Sequence, residues 1–429
     1  MESGNSCKVR NGRLYIGGCD TVALAEEFGT PLYVMDEDCI RDVCRLYVSA
    51  LKEYGDGLIA YASKAFSCKE IYRIVNSEGM GADVVSGGEL LTAQAAGFPM
   101  DKVYFHGNNK LDKEIVSAIK SGVRAIVADS LSEIEFLQKI AQRENAVVNV
   151  LLRLNPGIEA HTHHFVKTAT ADSKFGCSIS DGTALKAVKM ILDSKNLRFK
   201  GLHSHIGSQI FETEPYSLLT KAFVTLAAEI KEKLKADTDE FNMGGGFGVK
   251  YTDADKPLDY HKSVKMLSQL IKKETADAGL KKPFLVFEPG RSIVANAGIT
   301  LYTVGAVKDI TGIKKYITTD GGMFENPRFA LYRAQYSALL ANKADMPAVD
   351  TVTVAGKCCE SGDILVADTK LAAAERGDIL AVLSTGAYNF SMASNYNRNP
   401  VPSIVIVKDG KARVIVKGQT YEDMSARDI

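Results

Sequence analysis

Eight times between residues 57 and 290, an apolar strand-like stretch runs into a helix-like one or a glycine-rich turn. GLIAYAS (57–63) leads into a helical stretch from about Cys68 to Gly79, ADVVS (82–86) into GELLTAQAAG, and KVYFH (102–106) into LDKEIVSAIKSG. RAIVAD (124–129) precedes SLSEIEFLQKIAQ, whose apolar residues recur at helical spacing. VVNVLLRLN (147–155) precedes a polar loop and a helix near 182–193, and FKGLHSHIG (199–207) a helix near 215–235. EFNMGGGF (240–247) precedes a helix near 258–278, and PFLVFEPG (283–290) is the eighth strand. Eight such units over roughly 230 residues match the α/β class in its closed form, a (β/α)8 TIM-like barrel. A doubly wound sheet is the competing fold, but it gathers ligand contacts at one switch point and often carries G-x-G-x-x-G after its first strand. No such motif follows 57–63, and the chemically distinctive residues are spread over many strand ends.

After about residue 293 the pattern changes. TLYTVGAV, KYITTD, DTVTVAG, DILVAD, DILAVLS and SIVIV are β-rich and separated by Gly, Asp and Lys. VPSIVIVKDGKARVIVKG reads as a hairpin turning at Asp409-Gly410. These segments predict a C-terminal, mainly antiparallel β domain. RLYIGG and PLYVMD, within the first 36 residues, are short strands that could join either domain. The expected division is a barrel over 36–292 and a β domain formed by 1–35 with 293–429.

Composition excludes several classes. The 52 basic and 52 acidic side chains cancel, so there is no global pull toward nucleic acid or an acidic membrane. No apolar run reaches the roughly 18–20 residues of a membrane helix, and MESGNSCKVRNG has no apolar core of a signal peptide. The eight cysteines form no C-x-x-C pair, which fits reduced thiols in a cytoplasmic protein better than a zinc or disulfide framework.

Barrel enzymes place their reactive groups at the C-terminal ends of the strands. Those ends hold Lys64, Asp83, His106, His205, the run Gly244–Gly246, Glu288 and Arg291. A lysine at a barrel mouth is a Schiff-base candidate, because burial favours its neutral, nucleophilic form. A triple glycine after the seventh strand is either a tight turn or a phosphate cradle. His203 and His205, two apart on one strand, would face the same way. With His106 and His161, His163 and His164 they suggest a metallohydrolase as a rival reading. Cys359, followed by Glu-Ser-Gly-Asp, sits in a polar turn of the β domain.

YASKAF, GADVVSGGEL, FHGNNK, DSKFG (172–176), HSHIGSQI (203–210), GGGFG, EPGR, CESGD (359–363) and GAYNFSMASNYN (386–397) occur in that order. In this the whole chain resembles the diaminopimelate decarboxylase family, pyridoxal-phosphate enzymes of the alanine racemase-like fold. Ornithine and arginine decarboxylases share the lysine, the H-I/V-G-S turn, the triple glycine and EPGR. HIGSQI, DSKFG and CES mark the diaminopimelate branch.

The resemblance implies pyridoxal 5'-phosphate as cofactor, no metal, and decarboxylation of meso-2,6-diaminopimelate at its D-centre to L-lysine and CO2. It implies that Lys64 binds the cofactor covalently, that Glu288 meets its pyridine nitrogen and that His205 stacks on its ring. Ser208, Gly246, Pro289, Gly290, Arg291 and Tyr388 are implied around the cofactor and its phosphate. Arg291, Arg328, Tyr332, Glu360 and Tyr388 are implied for the substrate, with Arg328 and Tyr332 in PRFALY (327–332). Cys359 is implied as proton donor, and a cytoplasmic homodimer would bring Cys359 and Glu360 from the other subunit. A decarboxylase of ornithine, arginine or lysine, or a racemase of the same fold, is the nearest alternative.

Overall fold

The computed structural model describes residues 6–158 and 173–429. His161, His163, His164 and Asp172, singled out above, lie outside them. The chain divides into two compact units, one of residues 43–248 and 257–290, the other of residues 1–42, 249–256 and 291–429.

The first unit is a closed parallel barrel. Its strands are Gly57–Ala62, Gly81–Val84, Val103–Phe105, Ala125–Ala128, Val148–Asn155, Leu197–His203, Glu240–Asn242 and Phe284–Phe287. Neighbours in sequence pair in parallel, and Leu285 opposite Gly57 closes the last strand onto the first. The eight strand positions are those the alternation predicts, but the sixth, seventh and eighth stop sooner, at His203, Asn242 and Phe287. Just beyond the seventh, Gly244 and Gly246 turn the chain at positive φ.

Helices follow from local signals. Ser86 and Ser130 cap Gly87–Ala95 and Leu131–Arg143 by accepting the N–H of the glutamate three residues on, Glu89 and Glu133. Each glutamate returns a bond to the strand end just before its cap, Glu89 to the Val85 N–H and Glu133 to the Asp129 N–H, both at 2.8 Å. The same residues thus start the helices and fix the ends of the second and fourth strands.

Ala60, Tyr104, Ala125, Val127, Leu151 and Val286 form a packed cluster inside the barrel. Near the strand starts a polar network adds to it: the Tyr104 hydroxyl donates to Glu240 at 2.5 Å, and Arg124 donates to both Tyr104 and Glu240. Gly201, in the sixth strand, has no room for a side chain. A Cβ on Gly201 would lie 1.9 Å from the Glu240 carbonyl oxygen of the seventh strand, and on its other side the sixth strand bulges against the fifth between Phe199 and Gly201.

The second unit is a mainly antiparallel sheet. Its strand order is Ile364–Leu371, Asp350–Ala355, Lys314–Thr319, Gly298–Ile310, Leu32–Asp36, Ile404–Lys408 and Lys411–Val416, with Ile379–Leu383 and Ala338–Leu340 branching from Gly298–Ile310. The hairpin turns at Asp409 and Gly410, both at positive φ. The N-terminal strand Leu32–Asp36, which the sequence alone could not allot, lies in the middle of this sheet. It pairs antiparallel with Gly298–Leu301 and parallel with Ile404–Val407. None of the eight cysteines, all of them among the described residues, is in a disulfide. Among the described residues no helix is long and apolar enough to cross a membrane.

Glu325 is fully buried in this unit. Tyr302 donates to its carboxylate at 2.9 Å and the Gly322 N–H at 3.0 Å. Burial, with added repulsion from Asp363 and Asp320, pushes it up to about 8 against an ordinary 4.5. Between those values the folded protein keeps a proton that the unfolded chain has lost, so this residue lowers stability as pH rises across the window. Glu325→Gln should therefore gain stability relative to wild type as pH rises from about 5 to about 8, with no further gain above that range. Denaturant melts of both proteins across this range check it; a pH-independent difference would contradict it.

Candidate active site

The C-terminal ends of the barrel strands carry the candidate residues. Lys64 sits in the single 3-10 turn Ser63–Ala65 after the first strand. Ser63 anchors that turn, donating to the Asp83 carbonyl at 2.7 Å and lying 2.9 Å from the Glu89 carboxylate. The eighth strand braces it from the other side, where the Ala62 N–H donates to the Pro289 carbonyl at 3.1 Å. Gly290 is needed there, because a Cβ would lie 2.7 Å from the Ala62 carbonyl oxygen. Lys64 itself is half-buried, and its amine forms no ion pair or hydrogen bond among the described residues, although its charge lowers the pKa of Asp83 and Glu89. A lysine fixed at its backbone with an uncommitted amine can serve as a nucleophile.

Glu288 lies at the centre of the mouth, 4% exposed. Its Oε1 accepts from the Asn242 amide at 2.6 Å and lies 2.9 Å from His106 Nε2. Its Oε2 lies 3.1 Å from His203 Nε2. The His106 approach is close but too poorly aligned to be a hydrogen bond. Burial alone would raise the Glu288 carboxyl, but the His106 and His203 contacts outweigh it and hold it well below the carboxylate range. Burial drives His203 the other way, down to about 3, so its ring is neutral and its Nε2–H faces the carboxylate. Asp83, with Oδ1 at 3.7 Å from His106 Nε2, is pushed up to about 6 by burial.

This arrangement corrects the H-x-H reading. The sixth strand ends at His203, so His203 and His205 do not share a strand face: His203 meets Glu288, and the His205 ring accepts the Gly245 N–H at 3.3 Å. Among the described residues, His106, His203 and Glu288 are the group close enough to hold a metal ion. Asn242 argues against a cation there. Its amide hydrogens point at Glu288, and its oxygen accepts the Gly244 N–H at 3.0 Å, so flipping the amide would break both bonds. Asn242 was missed in the sequence, where an Asn before three glycines reads as a turn residue.

The glycine run has a steric reason and a chemical one. A Cβ on Gly244, Gly245 or Gly246 would lie 2.4, 2.0 or 2.4 Å from the carbonyl oxygens of Ser204, Glu288 and Gly207. Of the three N–H groups, Asn242 takes that of Gly244 and His205 that of Gly245. The Gly246 N–H makes no hydrogen bond among the described residues, which leaves a donor for an anion. Ser208 lies in the loop after the sixth strand.

The remaining candidates belong to the β unit. Arg291 and Arg328 are buried, and both donate to one phenol oxygen, that of Tyr251, at 2.7 and 3.1 Å. Arg328 also donates to the Tyr336 hydroxyl at 2.6 Å, and the Arg291 guanidinium lies 4.6 Å from the centre of the Tyr388 ring. Burial would raise the Tyr251 phenol, but the two guanidiniums outweigh it and hold it below the tyrosine range. Tyr251 and Tyr336 escaped the sequence reading. The phenols that Arg328 reaches are those of Tyr251 and Tyr336, whereas Tyr332 ends the short helix Arg328–Tyr332, half-buried. Cys359 is exposed, its N–H donating to Asn397 at 2.8 Å. Glu360 is exposed and accepts the Gly362 N–H. Cys358 beside it is pushed up to about 12 by burial and Asp363, which leaves Cys359 as the accessible thiol of the pair.

The family model for the pyridoxal-binding domain of pyridoxal-dependent decarboxylases matches residues 40–295. The diaminopimelate decarboxylases of Bacillus methanolicus and Staphylococcus aureus are 45% and 46% identical to this chain. They match over 97% and 98% of it and 96% and 98% of their own lengths. The crystal structure of the M. jannaschii diaminopimelate decarboxylase in complex with L-lysine superposes with a TM-score of 0.93 at 35% identity, covering 100% of this chain and 99% of that one. A lysine-bearing barrel mouth, a buried carboxylate and near-complete coverage by these relatives agree: the chain belongs to the diaminopimelate decarboxylase family of pyridoxal-dependent decarboxylases.

Proposed function

We infer that this chain decarboxylates meso-2,6-diaminopimelate at its D-centre, with pyridoxal 5'-phosphate, to give L-lysine and CO2, the last step of lysine biosynthesis. Membership of the diaminopimelate decarboxylase family over nearly the whole chain carries this reading. It disfavours the ornithine, arginine and lysine alternatives; among the described residues, the histidines that could favour a metallohydrolase, His106 and His203, face Glu288.

The barrel mouth fits the cofactor by its own chemistry. Lys64 offers an uncommitted amine, the Gly246 N–H an uncommitted donor for a phosphate oxygen, and Glu288 a buried anion for a protonated ring nitrogen. When bound, pyridoxal phosphate supplies an electron sink for the pair left as CO2 departs.

The residue roles are proposals that rest on the resemblance. Lys64 holds the cofactor and later releases product, Glu288 keeps the ring nitrogen protonated, and His205 lies against the ring. Ser208, Gly246, Pro289, Gly290, Arg291 and Tyr388 serve the cofactor, mainly its phosphate. Arg291, Arg328, Tyr332, Glu360 and Tyr388 orient the substrate. Arginine suits this task, since its fork matches a carboxylate bidentately and a substrate without a distal carboxylate would leave it unsatisfied. Cys359 gives the proton that replaces the lost carboxylate on Cα. Residues 36–292 act as the cofactor domain and 1–35 with 293–429 as the β domain. The working form is a cytoplasmic homodimer in which Cys359 and Glu360 serve the other subunit's Lys64, with no nucleic-acid or membrane partner.

Incubation with meso-diaminopimelate and pyridoxal phosphate should release CO2 and L-lysine in equal amounts, with ornithine, arginine and lysine largely unconsumed. Turnover of one of those three, and none of diaminopimelate, would overturn the assignment.

The shared site has its own test. Lys64→Ala and Cys359→Ala homodimers should each be nearly inactive. Unfolded, mixed equally and refolded, about half the molecules become heterodimers, each with one intact site, so activity should return to roughly a quarter of wild type. No recovery from heterodimers verified by mass would place both residues in one chain's site.

A further inference from the structure

Glu288 is an unusually well-held anion, and what holds it comes from three other strand ends. His106 follows the third strand, His203 ends the sixth and Asn242 ends the seventh. All are at most 4% exposed. The His106 and His203 rings meet edge to face with centroids 4.6 Å apart, so neither can turn without displacing the other. Asn242 is locked by the Gly244 N–H on its oxygen. Among the described residues His203 Nδ1 has no partner, so the polar contact that fixes this buried ring is the one from Nε2 to Glu288. A buried ring with one nitrogen orphaned is costly in a purely structural role. That cost is understandable if the Nε2–H is needed where it points.

We propose that His203 and Asn242 are positioning residues that hold and aim the Glu288 carboxylate, His106 packing them in place, so that Glu288 can keep the pyridine nitrogen of the cofactor protonated. The inference rests on the proposed function and extends it to residues that touch neither substrate nor cofactor. Two neutral N–H donors stabilise a buried carboxylate without neutralising it as an ion pair would, leaving its charge for the ring nitrogen. A neutral His203 suits this better than an imidazolium, which would compete with the pyridinium for the same anion.

The test reads the cofactor and not turnover. Holoenzyme reconstituted with pyridoxal phosphate carrying 15N in the ring should show a protonated ring nitrogen by NMR. His203→Leu should move that signal toward the unprotonated position, and His203→Gln, which restores an N–H donor, should move it back. Asn242→Leu, close to asparagine in size and shape, takes away the N–H donor on Glu288 Oε1, so the same signal should move toward the unprotonated position. It decides the matter should His203→Leu fail to fold. A folded, loaded variant of either kind with a wild-type 15N signal would overturn the proposal. A wild-type protein that takes up no cofactor would instead overturn the functional reading beneath it.

Discussion

The site depends on one buried charge. Moving an ionised carboxylate out of water costs several kcal/mol even after relaxation. The barrel offsets that cost only because closure brings separate strand ends to one point. Glu288 from the eighth strand meets His203 from the sixth, Asn242 from the seventh and His106 from the third. An open sheet would spread those strand ends along an edge. The sixth and seventh strands must also stop early for their last side chains to reach Glu288. Behind the seventh strand the turn is made by Gly244, Gly245 and Gly246, each of which would drive a Cβ into a neighbouring carbonyl.

The two units handle charge in opposite ways. In the barrel, an anion is held by neutral N–H donors. In the β unit, two guanidiniums are held by phenols, with Tyr251 accepting from both Arg291 and Arg328. A phenol can stabilise a guanidinium without the full neutralisation a carboxylate would give, so each group keeps affinity for an incoming partner of opposite charge. Glu325 shows the contrasting case. Buried in the same unit with its main partners a tyrosine and a backbone N–H, and with acidic neighbours, it goes up to about 8 instead of down. Burial alone does not set the direction; the partners do.

Much of this was legible in the sequence. The strand–helix alternation revealed the barrel because strand and helix periods are local properties. The hairpin at Asp409-Gly410 was legible for the same reason. Lys64 and Glu288 stood out because charged residues at apolar strand ends are unusual. Asn242, Tyr251 and Tyr336 did not stand out. For Asn242 and Tyr251 the importance lies in long-range partners, 46 residues away for Asn242 and 40 and 77 for Tyr251, and no local pattern encodes those distances; Tyr336 lies eight residues from Arg328, beyond the end of its short helix. His203 misled because period-two spacing implies a shared face only while the strand lasts, and the strand ends on that residue. The place of Leu32–Asp36 was likewise set by its distant partners and not by its own sequence.

The ionisation of Glu288 is the most direct test of this account. Infrared difference spectra between wild type and Glu288→Gln, recorded on the folded protein with glutamate 13C-labelled at the side-chain carboxyl, isolate its band. The account predicts a carboxylate band that persists as pH is lowered well past the ordinary glutamic acid range, for as long as the protein stays folded. A protonated acid band at neutral pH would contradict it, and the arrangement of His106, His203 and Asn242 would then need another explanation.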